Sequence, residues 1–131
     1  MFVVRESRNA MPPELAELGK AEGFVHVCDQ AALMFGSNRR EPVAFRPVVS
    51  VRKDGARAVV LPCTTKDHST DPDFFELVND QHVQWTRPWD GRRSFASCRY
   101  EVVAQAHLRQ KVGVMPQSVR IQLLDWLMER G

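Results

Sequence analysis

Residues 47–64 constrain this chain more than any other stretch. Pro47-Val48-Val49-Ser50-Val51-Arg52 is apolar and β-branched, Lys53-Asp54-Gly55-Ala56 is turn-like, and Arg57-Ala58-Val59-Val60-Leu61-Pro62-Cys63-Thr64 runs back. β-Branched side chains fit a pleated surface, and Asp-Gly favours the type I′ turn that joins two antiparallel strands. The stretch therefore reads as a β-hairpin. Val59, Val60 and Leu61 are consecutive rather than alternating, which predicts a return strand covered on both faces. A chain of 131 residues that is 44% apolar and 26% charged can wrap one core around such a hairpin. That composition excludes a largely disordered chain, a collagen-like chain and a multidomain enzyme.

The remaining elements are shorter. Phe24 to Cys28 reads as a strand, and Asp29 to Phe45 as mostly loop. Short strands are expected at Phe74 to Leu77, His82 to Trp85 and Ser94 to Cys98, with Glu101-Val102-Val103 continuing or following the last. Pro116 and Ser118 open a helix over Gln117 to Glu129 whose apolar residues cover more than half its circumference. Ahead of all this, Pro12-Pro13 can start a helix from Glu14 to Ala21, stopped by Gly23. Two parts are expected: an extension over 1–23, helical in part, and a domain over 24–131. Short strands with a terminal helix predict a mainly β (α+β) fold, a small and strongly bent antiparallel barrel.

Eighteen basic against sixteen acidic residues leave a net charge of +2, too little to imply nucleic acid by itself. No run of eighteen apolar residues offers a membrane span. Cys28, Cys63 and Cys98 are odd in number and form no Cys-x-x-Cys pair, and the N-terminal residues lack a signal-peptide pattern. Reduced thiols in the cytoplasm are the expectation. His26, His68, His82 and His107 are scattered, so no metal motif can be drawn and no cofactor is expected. His26, in an apolar strand, reads as a core histidine. His68 lies in a polar loop four residues after Thr64. It reads first as a solvated loop histidine, with proton exchange as the sharper alternative, since imidazole titrates near neutrality.

Local clustering says more than net charge. Arg87, Trp89, Arg92, Arg93 and, farther on, Arg99 combine guanidinium groups with an aromatic face. That pairing suits single-stranded nucleic acid, because arginine neutralises phosphate and aromatic rings stack on bases. Trp85, on a strand, reads rather as core. Arg39 and Arg40 add to the same positive face if the long loop folds over it. The plainer alternative for Arg92 and Arg93 is a solvated turn.

The segment Phe45 to Thr65, FRPVVSVRKDGARAVVLPCTT, resembles the MazF/PemK (Kid) toxin family. Arg46-Pro47-Val48-Val49 matches that family's strand opening, and Val59-Val60-Leu61-Pro62-Cys63-Thr64 its apolar return strand. Leu108, Val112-Gly113-Val114-Met115 and the final helix match its ending in order, so the resemblance runs from about residue 24 to 130. It implies a compact SH3-like barrel with a C-terminal helix, a homodimer, and metal-free cleavage of single-stranded RNA. A cognate antitoxin would cover the RNA groove. The resemblance assigns Arg46 and Thr64 to catalysis, with Thr65 beside them, and the ends of a hairpin are neighbours in space. Four features depart from the family. No Gly-Asp pattern opens the first strand, the N-terminal segment before Phe24 has no counterpart, the loop before Arg46 lacks the Gly-rich, Glu-Gln pattern, and Cys98-Arg99-Tyr100-Glu101 replaces an acidic-Gln-x-Arg stretch. Two other readings stay open: an RNA-binding module without catalysis, and a toxin of the same fold that acts on a protein such as gyrase. In the latter, Trp126 and Met128 on the final helix would make the contact.

Overall fold

A computed structural model describes residues 24–38, 43–78, 82–85 and 93–130. The expected helix at Glu14 to Ala21 lies outside these residues. Among the described residues, eight strands and one α-helix follow in order: β1 (Phe24–Asp29), β2 (Phe45–Asp54), β3 (Arg57–Thr64), β4 (Phe74–Leu77), β5 (Gln84–Trp85), β6 (Ser94–Ser97), β7 (Glu101–Ala104), β8 (Leu108–Val114) and α1 (Gln117–Arg130). All pairings are antiparallel. The order β4-β6-β3-β2-β1-β8-β5, with β7 also on β3, curls into a half-barrel. Register shifts at Ser50/Arg52 and along β1·β8 supply the extra residues that bend it.

The hairpin of β2 and β3 forms the centre, as the sequence predicts. Its loop sits one residue later than the Asp-Gly reading placed it. Asp54 pairs with Arg57, so Gly55-Ala56 is the loop, and Gly55 supplies the positive φ, 59°, that a primed turn needs first. Strand β3 is covered on both sides. Val59, Leu61 and Cys63 join the main core with Val25, Val49, Val51, Leu77, Ala96 and Met115. Ala58 and Val60 face a second, smaller core with Cys28, Leu33, Val48 and Val103. Helix α1 closes the main core through Val119, Leu123 and Leu127. Leu124 and Trp126 are partly buried against that core, while Met128 is 56% exposed, because the core takes only one stripe of the helix.

Strand β8 was not evident in the sequence. Arg109-Gln110-Lys111 interrupts any apolar alternation, and all three residues are exposed. The strand is fixed by pairing with β1 and by an ion cluster at its start. Asp29 accepts two hydrogen bonds from Arg109 (2.9 and 2.8 Å), and its Oδ2 lies 3.0 Å from Nδ1 of His107. The Arg109 hydrogen bond and then that of His107 hold the Asp29 carboxyl down at about 2, against an ordinary 3.8. A carboxylate held down on folding stabilises the fold above its unfolded value, and that contribution is lost as pH falls towards 2. Urea unfolding between pH 4 and pH 2 is expected to show a steeper loss of stability in the native protein than in Asp29→Asn. Parallel curves for the two would contradict this.

Among the described residues no helix is long and apolar enough to cross a membrane. The three cysteines are free thiols. Burial pushes Cys63 up to about 12 and Cys28 to about 11, so both behave as small apolar groups rather than nucleophiles.

Candidate functional site

Beside the open end of the β2–β3 hairpin lies a groove of about 540 Å³. Its walls carry Arg46, Thr64, Thr65, Lys66, His68 and Phe74, with Phe35 and Gly36 from the β1–β2 connection. The geometry follows from register. Val48 pairs with Pro62 at the last step of the β2–β3 ladder, and beyond it Arg46 on β2 and Thr64 on β3, each two residues farther on, both line the groove. Both then project from the same face of the sheet.

Arg46 is only 5% exposed, unusual for an arginine, and its surroundings explain how it is tolerated. Nε donates to Oε1 of Gln30 at 2.7 Å, and Nη1 donates to the carbonyl of Cys63 at 3.0 Å. The guanidinium lies over the Phe35 ring, 4.9 Å from its centroid. A planar donor fork held on two sides and backed by an aromatic face has little freedom to turn.

The connection that carries Phe35 is itself tied down. Gln30 bridges it, since Nε2 donates to the Phe35 carbonyl at 2.6 Å while Oε1 receives Arg46. Glu101 on β7 accepts the consecutive amides of Met34 (2.7 Å) and Phe35 (3.0 Å). Gly36 then passes with φ 75° so close to Arg46 that an added Cβ would lie 2.5 Å from Nη2. Sequence reasoning missed Gln30, Phe35 and Gly36. Glu101 drew notice as the start of a short strand and as part of a segment that departs from the family pattern; in the fold it ties down the connection beside Arg46 from sixty-odd residues farther along the chain.

Thr64 ends β3, and its Oγ1 accepts the amide of Lys66 at 3.2 Å, which leaves its own hydrogen for another acceptor. Thr65 is exposed on the same wall. Arg93 is engaged elsewhere, donating to both oxygens of Glu76 (2.7 and 2.9 Å), whose carboxyl this hydrogen bonding lowers. It reaches the groove through Phe95, whose ring it covers at 5.2 Å and which meets His68 edge-on. Arg99 is exposed on the turn after β6, outside the groove walls. Arg39, Arg40, Arg87, Trp89 and Arg92 lie outside the described residues. Trp126 is not a free surface group: Nε1 donates to the Pro72 carbonyl at 2.9 Å and the ring packs on Phe75 at 5.5 Å. Among the described residues no group of three or more His, Cys, Asp or Glu could hold a metal ion.

The fold and groove define a bent antiparallel half-barrel with a terminal helix and a buried, aromatic-backed arginine at the end of its central hairpin. The same architecture occurs in the Mycobacterium tuberculosis toxin MazF-mt6, with a TM-score of 0.57 over 81% of this chain and 93% of that one, at 13% identity. At that identity the likeness is one of fold. No family model matches the sequence, and no curated protein matches it.

Proposed function

We propose that this protein is a metal-independent endoribonuclease of the toxin type, cleaving single-stranded RNA. The observation that carries the reading is the Arg46 guanidinium, buried and anchored from three sides in a groove it shares with Thr64. The fold likeness to a MazF toxin supports it.

Such cleavage uses the RNA's own 2′-oxygen. It attacks the adjacent phosphorus, the bond to the 5′-oxygen breaks, and the products carry a 2′,3′-cyclic phosphate and a 5′-hydroxyl. Negative charge builds on the non-bridging oxygens as the phosphorane forms. A donor already fixed in place stabilises that charge without reorganising. Arg46 fits this role through its fork geometry, and Thr64 contributes one further hydrogen bond that orients the phosphate. Thr65, Arg93 and Arg99, with Arg39, Arg40, Arg87, Arg92 and Trp89, would track the flanking nucleotides. A cytoplasmic homodimer kept silent by an antitoxin over the groove completes the reading. A protein-directed toxin contacting its target through Trp126 is less favoured, because that indole is already bonded to Pro72.

The test is incubation with a long single-stranded RNA in EDTA, beside Arg46→Ala. Discrete fragments with 5′-hydroxyl ends, absent with the variant, are expected. Tight, salt-sensitive binding without products would instead describe an RNA-binding module.

Gly36 gives a second prediction. Alanine there meets a left-handed backbone, at about 1–2 kcal/mol, and its Cβ displaces Nη2 of Arg46. A displacement of about 1 Å at a reacting group can cost about 10²-fold in rate. Gly36→Ala is expected to stay folded by circular dichroism yet cleave RNA at least tenfold more slowly. Wild-type cleavage by that variant would show that Arg46 does not need its present position.

A further inference from the structure

Resting on the ribonuclease reading above, we infer that His68 is the group that takes the proton from the attacking 2′-hydroxyl. The inference begins with how this imidazole is held. It stacks flat on Phe74, with centroids 3.7 Å apart and planes 9° from parallel, and meets Phe95 edge-on at 6.2 Å. A histidine that belonged only to a solvated loop would have no reason to be pinned between rings from two strands.

The loop is built to hold it. The Asp71 amide donates to the His68 carbonyl (2.9 Å), and the Phe74 amide to the Asp71 carbonyl (3.1 Å). Asp67 and Asp71 each accept the amide two residues on, both at 2.9 Å. Two successive Asx turns of this kind fix a loop without regular structure. The side chain keeps 21% of its surface exposed and lines the groove with Arg46 and Thr64.

The two ring nitrogens differ. Nδ1 faces Oδ2 of Asp71 at 3.8 Å, while no hydrogen bond among the described residues engages Nε2. With Nδ1 turned toward that carboxylate, Nε2 is the ring nitrogen left to meet a substrate, and its lone pair is the one assigned to the base. Asp71 itself is oriented by the Asp73 amide. The other charged groups around the ring are Asp67 and Lys66 on its own loop, Arg46 from β2, and Arg93 ahead of β6 in its bond to Glu76 of β4. Arg46 and Lys66 are cationic and stand on the groove side, where the phosphate would neutralise them.

In the step, the 2′-O–H bond breaks and its proton passes to Nε2 as the 2′-oxygen bonds to phosphorus. The P–O5′ bond breaks, and the leaving oxygen takes a proton from solvent water. The imidazolium then returns its proton to solvent.

General-base groups contribute about 10²–10⁴-fold. The experiment is single-turnover cleavage of RNA in EDTA across pH, with wild type, His68→Ala and His68→Phe; the last keeps a ring stacked on Phe74. Expected are rates at least 10²-fold lower in both variants, RNA binding within about threefold, loss of the acid-side fall of the pH profile, and partial rescue of His68→Ala by added imidazole. Cleavage by His68→Phe at the wild-type rate overturns the inference and leaves the ribonuclease reading intact. Slow variants that keep the acid-side fall and show no imidazole rescue assign His68 a structural role and overturn it too. No cleavage by wild type overturns both.

Discussion

Arg46→Lys is expected to fold and to cleave RNA about 10²–10³-fold more slowly than wild type, the loss typical of a donor removed from a developing oxyanion. Lysine keeps the charge and most of the aliphatic stem. It cannot serve Gln30, the Cys63 carbonyl and a phosphate at once, because its ammonium is a point charge and the guanidinium a planar fork. Alanine is the blunter variant. It strips the partners from a buried side-chain oxygen and a buried carbonyl, at about 1–3 kcal/mol for each group left unsatisfied. Circular dichroism and urea midpoints separate the two effects. A Lys variant that cleaves at the wild-type rate would show that charge alone suffices and remove the fork from the mechanism.

The largest loss of stability is expected at Phe95→Ala, about 3–5 kcal/mol, in the range seen when a buried aromatic side chain is truncated. Phe95 on β6 is 1% exposed, pairs with Thr64 on one side and Glu76 on the other, and lies under the Arg93 guanidinium. Small domains are stable by only about 5–15 kcal/mol, so this single change consumes a large part of the total. The same ring also bears on His68 from the side. Phe95→Leu, which refills most of the volume, is expected to recover more than half of the lost stability in urea titrations. Equal losses in both variants would place the cost in the ring's contacts with Arg93 and His68 and not in the cavity.

The central hairpin was legible because β-branching, Gly55 and an unbroken apolar run all point one way. So were β1, β4, β6 and α1, each marked by local pattern, and the buried state of His26 and the packing of Trp85 on the core. Within the site, the neighbourhood of Arg46 and Thr64 followed from hairpin register alone. What stayed hidden depends on contacts between distant segments. Nothing local to Glu101 announces that it will hold the amides of Met34 and Phe35, and nothing local to Gln30 that it will bridge Phe35 and Arg46. Strand β8 escaped notice because its polar centre faces water on one side and is held by backbone pairing and Asp29. Arg93 has a partner that no local pattern announces. The sequence offers an arginine to a phosphate, and in the fold its guanidinium is bonded to Glu76, seventeen residues before it.

The most direct measurement compares two oligonucleotides in EDTA: an RNA containing a mapped cleavage site, and the same strand with 2′-deoxyribose at the nucleotide whose 2′-oxygen would attack. If the groove around Arg46 and Thr64 works as proposed, the RNA is cut to a 2′,3′-cyclic phosphate and a 5′-hydroxyl. The substituted strand then binds with similar affinity and stays whole at that position. Cutting of the deoxy strand at the same place and rate would put the nucleophile outside the RNA, and no cutting of either strand would deny the groove its chemistry.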